Sequence, residues 1–359
     1  MKIAVDAREL TGKPTGVGRY LAELLTSWKT NDAAKRHEWR FFAHKAADLP
    51  APFQQSMDVI AGGGGTAWEQ WRLPRVLSVW RPDVLFAPGY TAPLTTPCPI
   101  ALTVHDVSFF AHPEWFTARE GLRRRQITAW AARRAHVVLA PSAFSGHEIV
   151  RFTGVPESRV RVIHLGVREV GASTAPRLPT VLFVGSLFQR RHIDVLIDAF
   201  ARVAAVHPDA HLDIVGENRT VPRVDYAAQV ASLGLGARVS VRHWVDDETL
   251  ATLYTRATAF AFLSEYEGFG FTPLEALAHG AVPVVLDTPV AREIYGDAAI
   301  RVADGPDLVA TLADALERLL ADPAARSPQL AAAPAVLASY RWADTAARTW
   351  RALEEAAGA

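Results

Sequence analysis

The segment Glu267-Gly-Phe-Gly-Phe-Thr-Pro-Leu-Glu275 sets two carboxylates at the ends of a stretch containing two glycines. Gly268 and Gly270 let the backbone come close to a ligand. A helix starting at Pro273, with Glu275 in its first turn, would present unpaired N–H groups and the positive end of its dipole to anything negative. A phosphate or a sugar hydroxyl fits there, and so does the plainer role of a glutamate that only stabilises the dipole. A basic pair, Arg190-Arg191, stands at another helix start, where cations oppose the dipole and need a compensating partner. His105 follows a strand, a place that by itself better suits a satisfied loop histidine or a capping neighbour. Gly16 and Gly18 follow the first strand, but Leu21 stands where a dinucleotide fingerprint requires glycine, so an NAD reading loses its main support.

Short apolar, β-rich runs must position these residues. Lys2–Ala7, Trp39–Ala43, Asp83–Ala87, Ile100–His105 and Val137–Pro141 read as strands of one sheet. Val181–Gly185, Leu212–Gly216, Val239–Arg242, Ala259–Ser264 and Val282–Leu286 read as strands of a second. Between them Val195–Val206 and Thr249–Arg256 space apolar residues at i, i+3, i+4 and i+7, as crossover helices do. The class is parallel α/β, in which ligands bind at loops leaving the carboxyl ends of strands; Glu267-Gly-Phe-Gly is such a loop. A boundary near 165–179, at a Pro/Ala-rich stretch, divides the chain into 1–168 and 169–341. Asp307–Leu320 reads as a helix of the second part, and a helix within 342–359, with Trp350 and Leu353 on one face, is expected to pack back on the first. Glycines 62–65 and Trp68-Glu-Gln-Trp71 read as a loop running into a helix with a packed aromatic pair.

The bulk properties agree. A chain of 359 residues exceeds the roughly 250–300 at which one core splits. With 50% hydrophobic and 21% charged residues it matches neither a disordered chain nor a membrane-spanning one. Lys+Arg and Asp+Glu balance at 38 each, which gives no global attraction to nucleic acid or anionic lipid and leaves room only for local basic patches. Cys98 is the single cysteine, excluding an intrachain disulfide and a cysteine-based metal cluster. No run approaches the ~18 apolar residues of a membrane span. The start Met-Lys-Ile-Ala-Val-Asp lacks the apolar region of a signal peptide, so a cytoplasmic location is expected.

Ser264-Glu-Tyr-Glu-Gly-Phe-Gly-Phe-Thr-Pro-Leu-Glu-Ala-Leu-Ala-His-Gly-Ala-Val-Pro-Val resembles the signature of the large group 1 family of retaining GT-B glycosyltransferases, which includes bacterial mannosyltransferases and sucrose synthase. The resemblance implies two Rossmann-like β/α/β domains facing each other across a cleft, the first on the acceptor side and the second binding the nucleotide sugar. It implies that Glu267 contacts the transferred sugar, that Glu275 hydrogen-bonds the ribose, and that the backbone N–H groups of Phe269 and Gly270 hold sugar hydroxyls. Val184-Gly-Ser-Leu-Phe-Gln-Arg-Arg-His-Ile resembles the segment opening the family's second domain. Gly185 then lies at the donor, and Arg190 and Arg191 grip the diphosphate, whose growing charge a fixed cation stabilises more than the ground state. Arg191 stands for the more usual Lys and His192 for Asn; Arg keeps the charge but forks differently.

Other segments extend the resemblance. Asp6-Ala-Arg-Glu-Leu with Thr15-Gly-Val-Gly-Arg-Tyr is similar to the acceptor-side glycine loop, whose Gly16 and Gly18 would approach the donor phosphates. Thr103-Val-His-Asp-Val-Ser-Phe-Phe, continued by His112-Pro-Glu-Trp-Phe, resembles the His-Asp segment of the mannosyltransferase-like branch and puts His105 near the sugar. Ala140-Pro-Ser-Ala-Phe-Ser resembles a helix entry in which Ser142 is read as an N-cap. Gly216-Glu217 and His243-Trp-Val-Asp match loops around the nucleotide, with Trp244 and Val245 flanking the base, although a tryptophan also suits an ordinary core.

The implied reaction moves a hexose, mannose ahead of others, from a nucleoside-diphosphate sugar to a hydroxyl of a glycan or lipid-linked acceptor, with GDP-mannose ahead of UDP-sugars. Retention would follow from same-face attack through a short-lived oxocarbenium-like ion pair, without a protein nucleophile. No cofactor and no catalytic metal are expected, because no His/Asp/Glu cluster has metal-ligand spacing. Two alternatives stay open: a GT-B phosphorylase or hydrolase, and a catalytically reduced nucleotide-sugar-binding scaffold subunit. A paired-carboxylate glycosidase fits less well, since its two carboxylates must flank the scissile bond. The basic stretch Arg119–Arg134 reads as a solvated helix face, with peripheral contact at the inner membrane face as the other reading.

Overall fold

The computed structural model describes residues 1–12, 16–30, 36–171 and 175–358. Thr15, from the amino-terminal glycine segment, and residues 172–174 of the Pro/Ala-rich stretch lie outside them. The chain divides into two compact units, Met1–Gly166 with Tyr340–Ala359, and Val167–Ser339.

The first unit is a parallel sheet of seven strands: β1 (Lys2–Asp6), β2 (Glu38–Ala43), β3 (Met57–Val59), β4 (Val84–Ala87), β5 (Ile100–Thr103), β6 (Val137–Ala140) and β7 (Val160–Val162). Their spatial order is β3-β2-β1-β4-β5-β6-β7, with Ile3 in register with Trp39 on one side and Val84 on the other. β4, β5 and β6 are buried along their whole length, which is why they read as unbroken apolar runs rather than alternating ones. The last helix, Trp342–Ala357, belongs to this unit: Trp28 Nε1 donates to Ala346 O at 3.0 Å, and Thr345 Oγ1 donates to His164 O at 2.8 Å. Both Trp350 and Leu353 are buried.

The second unit is a parallel sheet of β8 (Thr180–Val184), β9 (His211–Val215), β10 (Val239–Arg242), β11 (Ala259–Phe262), β12 (Val282–Leu286) and β13 (Ile300–Val302). Its order, β10-β9-β8-β11-β12-β13, is the doubly wound 3-2-1-4-5-6 arrangement. The helix Ile193–Val206 covers one face with Ile193, Leu196, Ile197, Phe200, Val203 and Ala204, and Asp194 in its first turn favours the dipole.

Three elements correct the sequence reading. Each sheet has more strands than the apolar runs indicate, seven and six against five and five. The additional strands β3, β7 and β13 are three-residue edge strands, and the latter two read Val-Arg-Val and Ile-Arg-Val, where a central arginine interrupts the apolar signal. The helix of the glutamate motif starts at Phe271 rather than Pro273, so Glu275 is its fifth residue and lies beyond the first turn. The aromatic pair Trp68 and Trp71 does not pack together inside: Trp68 is buried and Trp71 is exposed. Residues Trp68–Arg72 form a π-helical turn, whose wider winding carries Trp71 off the face that Trp68 occupies.

Candidate active site

In the second unit the strand order reverses between β8 and β11, the place where an open α/β sheet leaves a crevice at the carboxyl ends of its strands. The loops leaving those two strands are tied by one ion pair. Arg191 Nη2 lies 2.7 Å from Glu267 Oε1 and Arg191 Nε 3.2 Å from the same oxygen, which also accepts from Ser264 Oγ at 2.8 Å. A third arginine donor, Nη1, goes to Ser186 O at 3.0 Å, and the guanidinium lies 5.0 Å from the Phe262 ring centroid. Glu267 is therefore the compensating partner that the basic helix start requires. Arg190 sits on the neighbouring Phe188 ring at 4.2 Å, and its carbonyl accepts from Glu265 N at 3.0 Å. His192 adopts φ +49°, and its Nε2 lies 2.8 Å from Glu265 Oε1.

Glycine is required where these loops crowd. A Cβ on Gly185 would stand 2.5 Å from Arg191 Nη1, and one on Gly216, at the end of β9, would stand 1.8 Å from Gly185 O. The first distance lets the guanidinium lie on the backbone and reach Glu267; the second lets the β9 loop press against the β8 loop, where Leu187 N donates to Glu217 O at 2.8 Å.

Past the ion pair, Gly270 caps the helix Phe271–Ala278, and its carbonyl accepts from Tyr295 Oη at 3.0 Å. Phe269 is buried, its ring edge-on to Phe271 with centroids 5.5 Å apart. Glu275 is buried, and its Oε2 accepts from Tyr254 Oη at 3.1 Å. Tyr254 in turn stacks on His279 with centroids 5.3 Å apart, while His279 Nδ1 lies 3.0 Å from Glu275 O. Neither Tyr254 nor His279 was marked by the sequence, because their partnership with Glu275 depends on how the helix Asp247–Arg256 packs.

Trp244 and Val245 follow β10, the edge strand separated from β8 by β9. Trp244 is 68% exposed, which removes the core reading. Glu217, beside Gly216, pairs with Arg219 at 2.5 Å, and His243 Nε2 is 3.9 Å from its carboxylate.

The first unit reverses its order between β1 and β4. His105 lies just past β5, with its Nε2 2.8 Å from Pro88 O. A carbonyl can only accept, so Nε2 carries the proton and Nδ1 keeps the lone pair of the neutral ring. Burial pushes the His105 pKa below its ordinary 6.5, against smaller opposing effects of the Pro88 carbonyl and Asp106. The ring stands edge-on to Tyr20 at 5.0 Å and tilted to Tyr90 at 5.6 Å. Tyr90 adopts φ +58°, strained for a residue with a side chain, and donates to Asp106 Oδ2 at 2.7 Å. Burial raises the Tyr20 hydroxyl to about 12, so it stays a neutral wall beside the histidine. Gly16 opens the helix Gly16–Trp28 and is exposed, whereas Gly18 is buried in its first turn. Ser142 caps the helix Ala143–Thr153, accepting from Ser145 N at 3.0 Å.

One cluster went unmarked by the sequence. Arg8 Nε lies 2.9 Å from Asp6 Oδ1, and its Nη2 lies 2.6 Å from Asp6 Oδ2 and 2.5 Å from Glu69 Oε1, which also accepts from Thr91 Oγ1 at 2.6 Å. Burial alone would lower the arginine pKa, but Asp6 and then Glu69 carry it above its ordinary value. The available signal was Glu69 inside Trp68-Glu-Gln-Trp71, a carboxylate between aromatics that burial would force to find a cation. Among the described residues no group of three or more His, Cys, Asp or Glu side chains could hold a metal ion.

With its two parallel units of Rossmann-like winding, the chain has the GT-B fold. The likeness extends to the crystal structure of Anabaena Alr3699/HepE in complex with UDP and glucose, with a TM-score of 0.75 at 19% identity over 98% of this chain and 100% of that one. Residues 14–169 match the family model described as Glycosyltransferase Family 4, and residues 172–333 the one described as Glycosyl transferases group 1. The chain belongs to the group 1 glycosyltransferases. A glycogen synthase of Mycobacterium tuberculosis is 29% identical over 283 residues, covering 75% of this chain and 68% of that protein. The O-antigen chain mannosyltransferase B of Escherichia coli is 25% identical over 354 residues, covering 90% and 91%.

Proposed function

We propose that the protein transfers a hexose, mannose ahead of others, from a nucleoside-diphosphate sugar to a hydroxyl of a glycan or lipid-linked acceptor, with retention of configuration and without a metal. The observation that carries this reading is the Arg191–Glu267 pair on the loops of β8 and β11. It fixes a cation suited to a departing diphosphate beside a carboxylate suited to a sugar.

In this reading each atom of the site has a task. Glu267 Oε1 is taken up by Arg191 and Ser264, which leaves Oε2 to accept from a sugar hydroxyl. Three of the five Arg191 N–H donors go to Glu267 and Ser186, which leaves two for diphosphate oxygens. Arg190 adds a second cation. Glu275, held by Tyr254, accepts from the ribose, while the amides of Phe269 and Gly270 turn to the sugar. Gly185 and Gly216 let the β8 and β9 loops pack closely beside the donor, and Trp244 and Val245 offer surfaces to the base. In the first unit, read as the acceptor side, His105 Nδ1 keeps a lone pair that can accept from a hydroxyl.

With the diphosphate stabilised as it leaves, no protein nucleophile is needed, and the departing phosphate takes the acceptor's proton. Mannose is supported by the O-antigen relative, whose name specifies mannosyl transfer; the structural relative with UDP and glucose bound makes the uridine donor the competing choice. A cytoplasmic location goes with this reading. Incubation with GDP-mannose and UDP-glucose, each alone, with phosphate and with glycan acceptors, tests it by NMR of the products. An α-linked product from an α-linked donor supports it. Sugar phosphate or free sugar as the main product would favour the phosphorylase or hydrolase instead.

A further inference from the structure

The helix Ala118–Arg134 buries Gly121, Thr128, Ala129, Ala131 and Ala132 against the first unit and turns a different set outward. Arg119, Leu122, Arg123, Trp130, Arg133 and Arg134 are all exposed and recur at helical spacing, which gathers them on one stripe. The stripe is both cationic and apolar. The helix has one acidic residue, Glu120, and it is occupied by Arg124 at 2.7 Å. A second exposed surface adjoins the first: Arg123 Nη1 donates to Thr66 Oγ1 at 3.0 Å, in the loop that leads to Trp71, Arg72, Arg75 and Val79. The acid of that segment, Glu69, is buried against Arg8 and contributes no outward charge.

Large apolar side chains are placed among these cations. Trp71 is 65%, Val79 86%, Leu122 51% and Trp130 48% exposed. Arginine alone would suit any polyanion, and in a chain of zero net charge the concentration of arginine here is local. Indole and leucine facing outward between arginines suit a narrower partner, one with anionic groups at its surface and hydrocarbon just beneath. That is the headgroup boundary of an anionic bilayer, where tryptophan sits at the interface and arginine reaches the phosphates. Among the described residues no helix can cross a membrane, so attachment would be lateral.

We propose that this surface, centred on the outward stripe of the helix Ala118–Arg134, docks the protein on anionic phospholipid membranes. The contact is electrostatic in its reach and apolar in its depth. It needs neither donor nor acceptor, so it stands or falls apart from the transfer reaction.

Co-sedimentation of the full chain with phosphatidylcholine vesicles, with and without phosphatidylglycerol, tests it. Binding is expected only when phosphatidylglycerol is present, and it should weaken steeply with added salt. Arg119→Glu, Arg133→Glu and Arg134→Glu together should abolish it, and each arginine neutralised singly should weaken it about fivefold. Leu122→Ser with Trp130→Ser should weaken binding while leaving the salt dependence unchanged. Unchanged thermal transitions check that the variants fold, and the lipid and salt dependence of the wild type stands without them. Failure to sediment with anionic vesicles, or equal sedimentation with pure phosphatidylcholine, would overturn the proposal. So would binding to a soluble polyanion as tight as to vesicles and indifferent to the loss of Leu122 and Trp130.

Discussion

Arg191 Nη2 and Glu267 Oε1 lie 2.7 Å apart, bridging the loops that leave the two strands where the second sheet reverses its order. Residues distant in sequence, each assigned to a different part of the donor, hold each other in position. Their effects on the protein should therefore be coupled.

Arg191→Ala and Glu267→Ala should each lower kcat by about 10²- to 10³-fold, the range seen when one electrostatic stabiliser is removed. Each leaves a mostly buried charge without its partner and should destabilise the fold by about 3 kcal/mol. The double variant should lose clearly less stability than the sum of the two. Denaturant unfolding of all four proteins measures this, and additive losses would show that the pair does not act as a unit. Arg191→Lys keeps the charge but not the fork, and should fall between wild type and alanine.

Tyr254→Phe removes one hydrogen-bond donor from the buried Glu275 carboxylate and leaves the ring on His279. Donor KM should rise while kcat at saturation changes little, because a ribose contact is made equally in ground and transition states. The stability loss should be about 1 kcal/mol. A kcat loss without a KM change would place Glu275 in the chemistry rather than in binding.

Gly216→Ala brings a methyl to 1.8 Å from Gly185 O, a backbone atom that cannot turn aside. The β8 loop must move, carrying Arg191 with it. Nucleotide affinity should drop at least tenfold, with destabilisation of about 1–3 kcal/mol. Gly16→Ala is the contrast: nothing lies within 4 Å of its added carbon, and the fold should be unaffected.

His105 has a folded pKa below its unfolded 6.5 because its buried site withholds water from the charged ring. The unfolded chain therefore binds the extra proton first. The stability this histidine contributes is complete above pH 6.5 and declines as pH falls from 6.5 toward the folded pKa. His105→Gln should flatten that part of the stability curve, isolating it from His37 and His136, whose values burial also lowers. Unfolding measured from pH 7.5 down to 5 compares the two proteins; identical slopes would remove the buried neutral ring from the account.

What the sequence displayed was decided by length and locality. β8 runs directly into Gly185, and β11 continues through Leu263 to Ser264 before the polar segment with Gly268 and Gly270, so both apolar runs end plainly and the loops carrying Arg191 and Glu267 are legible at strand ends from sequence alone. The edge strands β7 and β13 have three residues with arginine at the centre, too short and too mixed to show a period. Tyr254 and Glu275, Tyr90 and Asp106, and Arg8 and Glu69 were hidden for another reason. Each is a polar pair made by tertiary packing, and nothing local in either partner's sequence names the other. The register of Glu275 was missed because Pro273 looks like a first turn, whereas Gly270 at φ +85° caps the helix and starts it two residues earlier.

The central claim is that the loops of β8 and β11 and the helix after them hold a nucleoside-diphosphate sugar. Thermal unfolding with GDP and UDP, on the wild type and on Glu275→Ala, tests it most directly. Bound nucleotide stabilises the folded state by about 2.7 kcal/mol at a hundredfold excess over Kd. The account predicts a clear rise in Tm for the wild type, larger with GDP than with UDP, and its near loss in the variant. No rise with any nucleoside diphosphate, or an equal rise in Glu275→Ala, would contradict it.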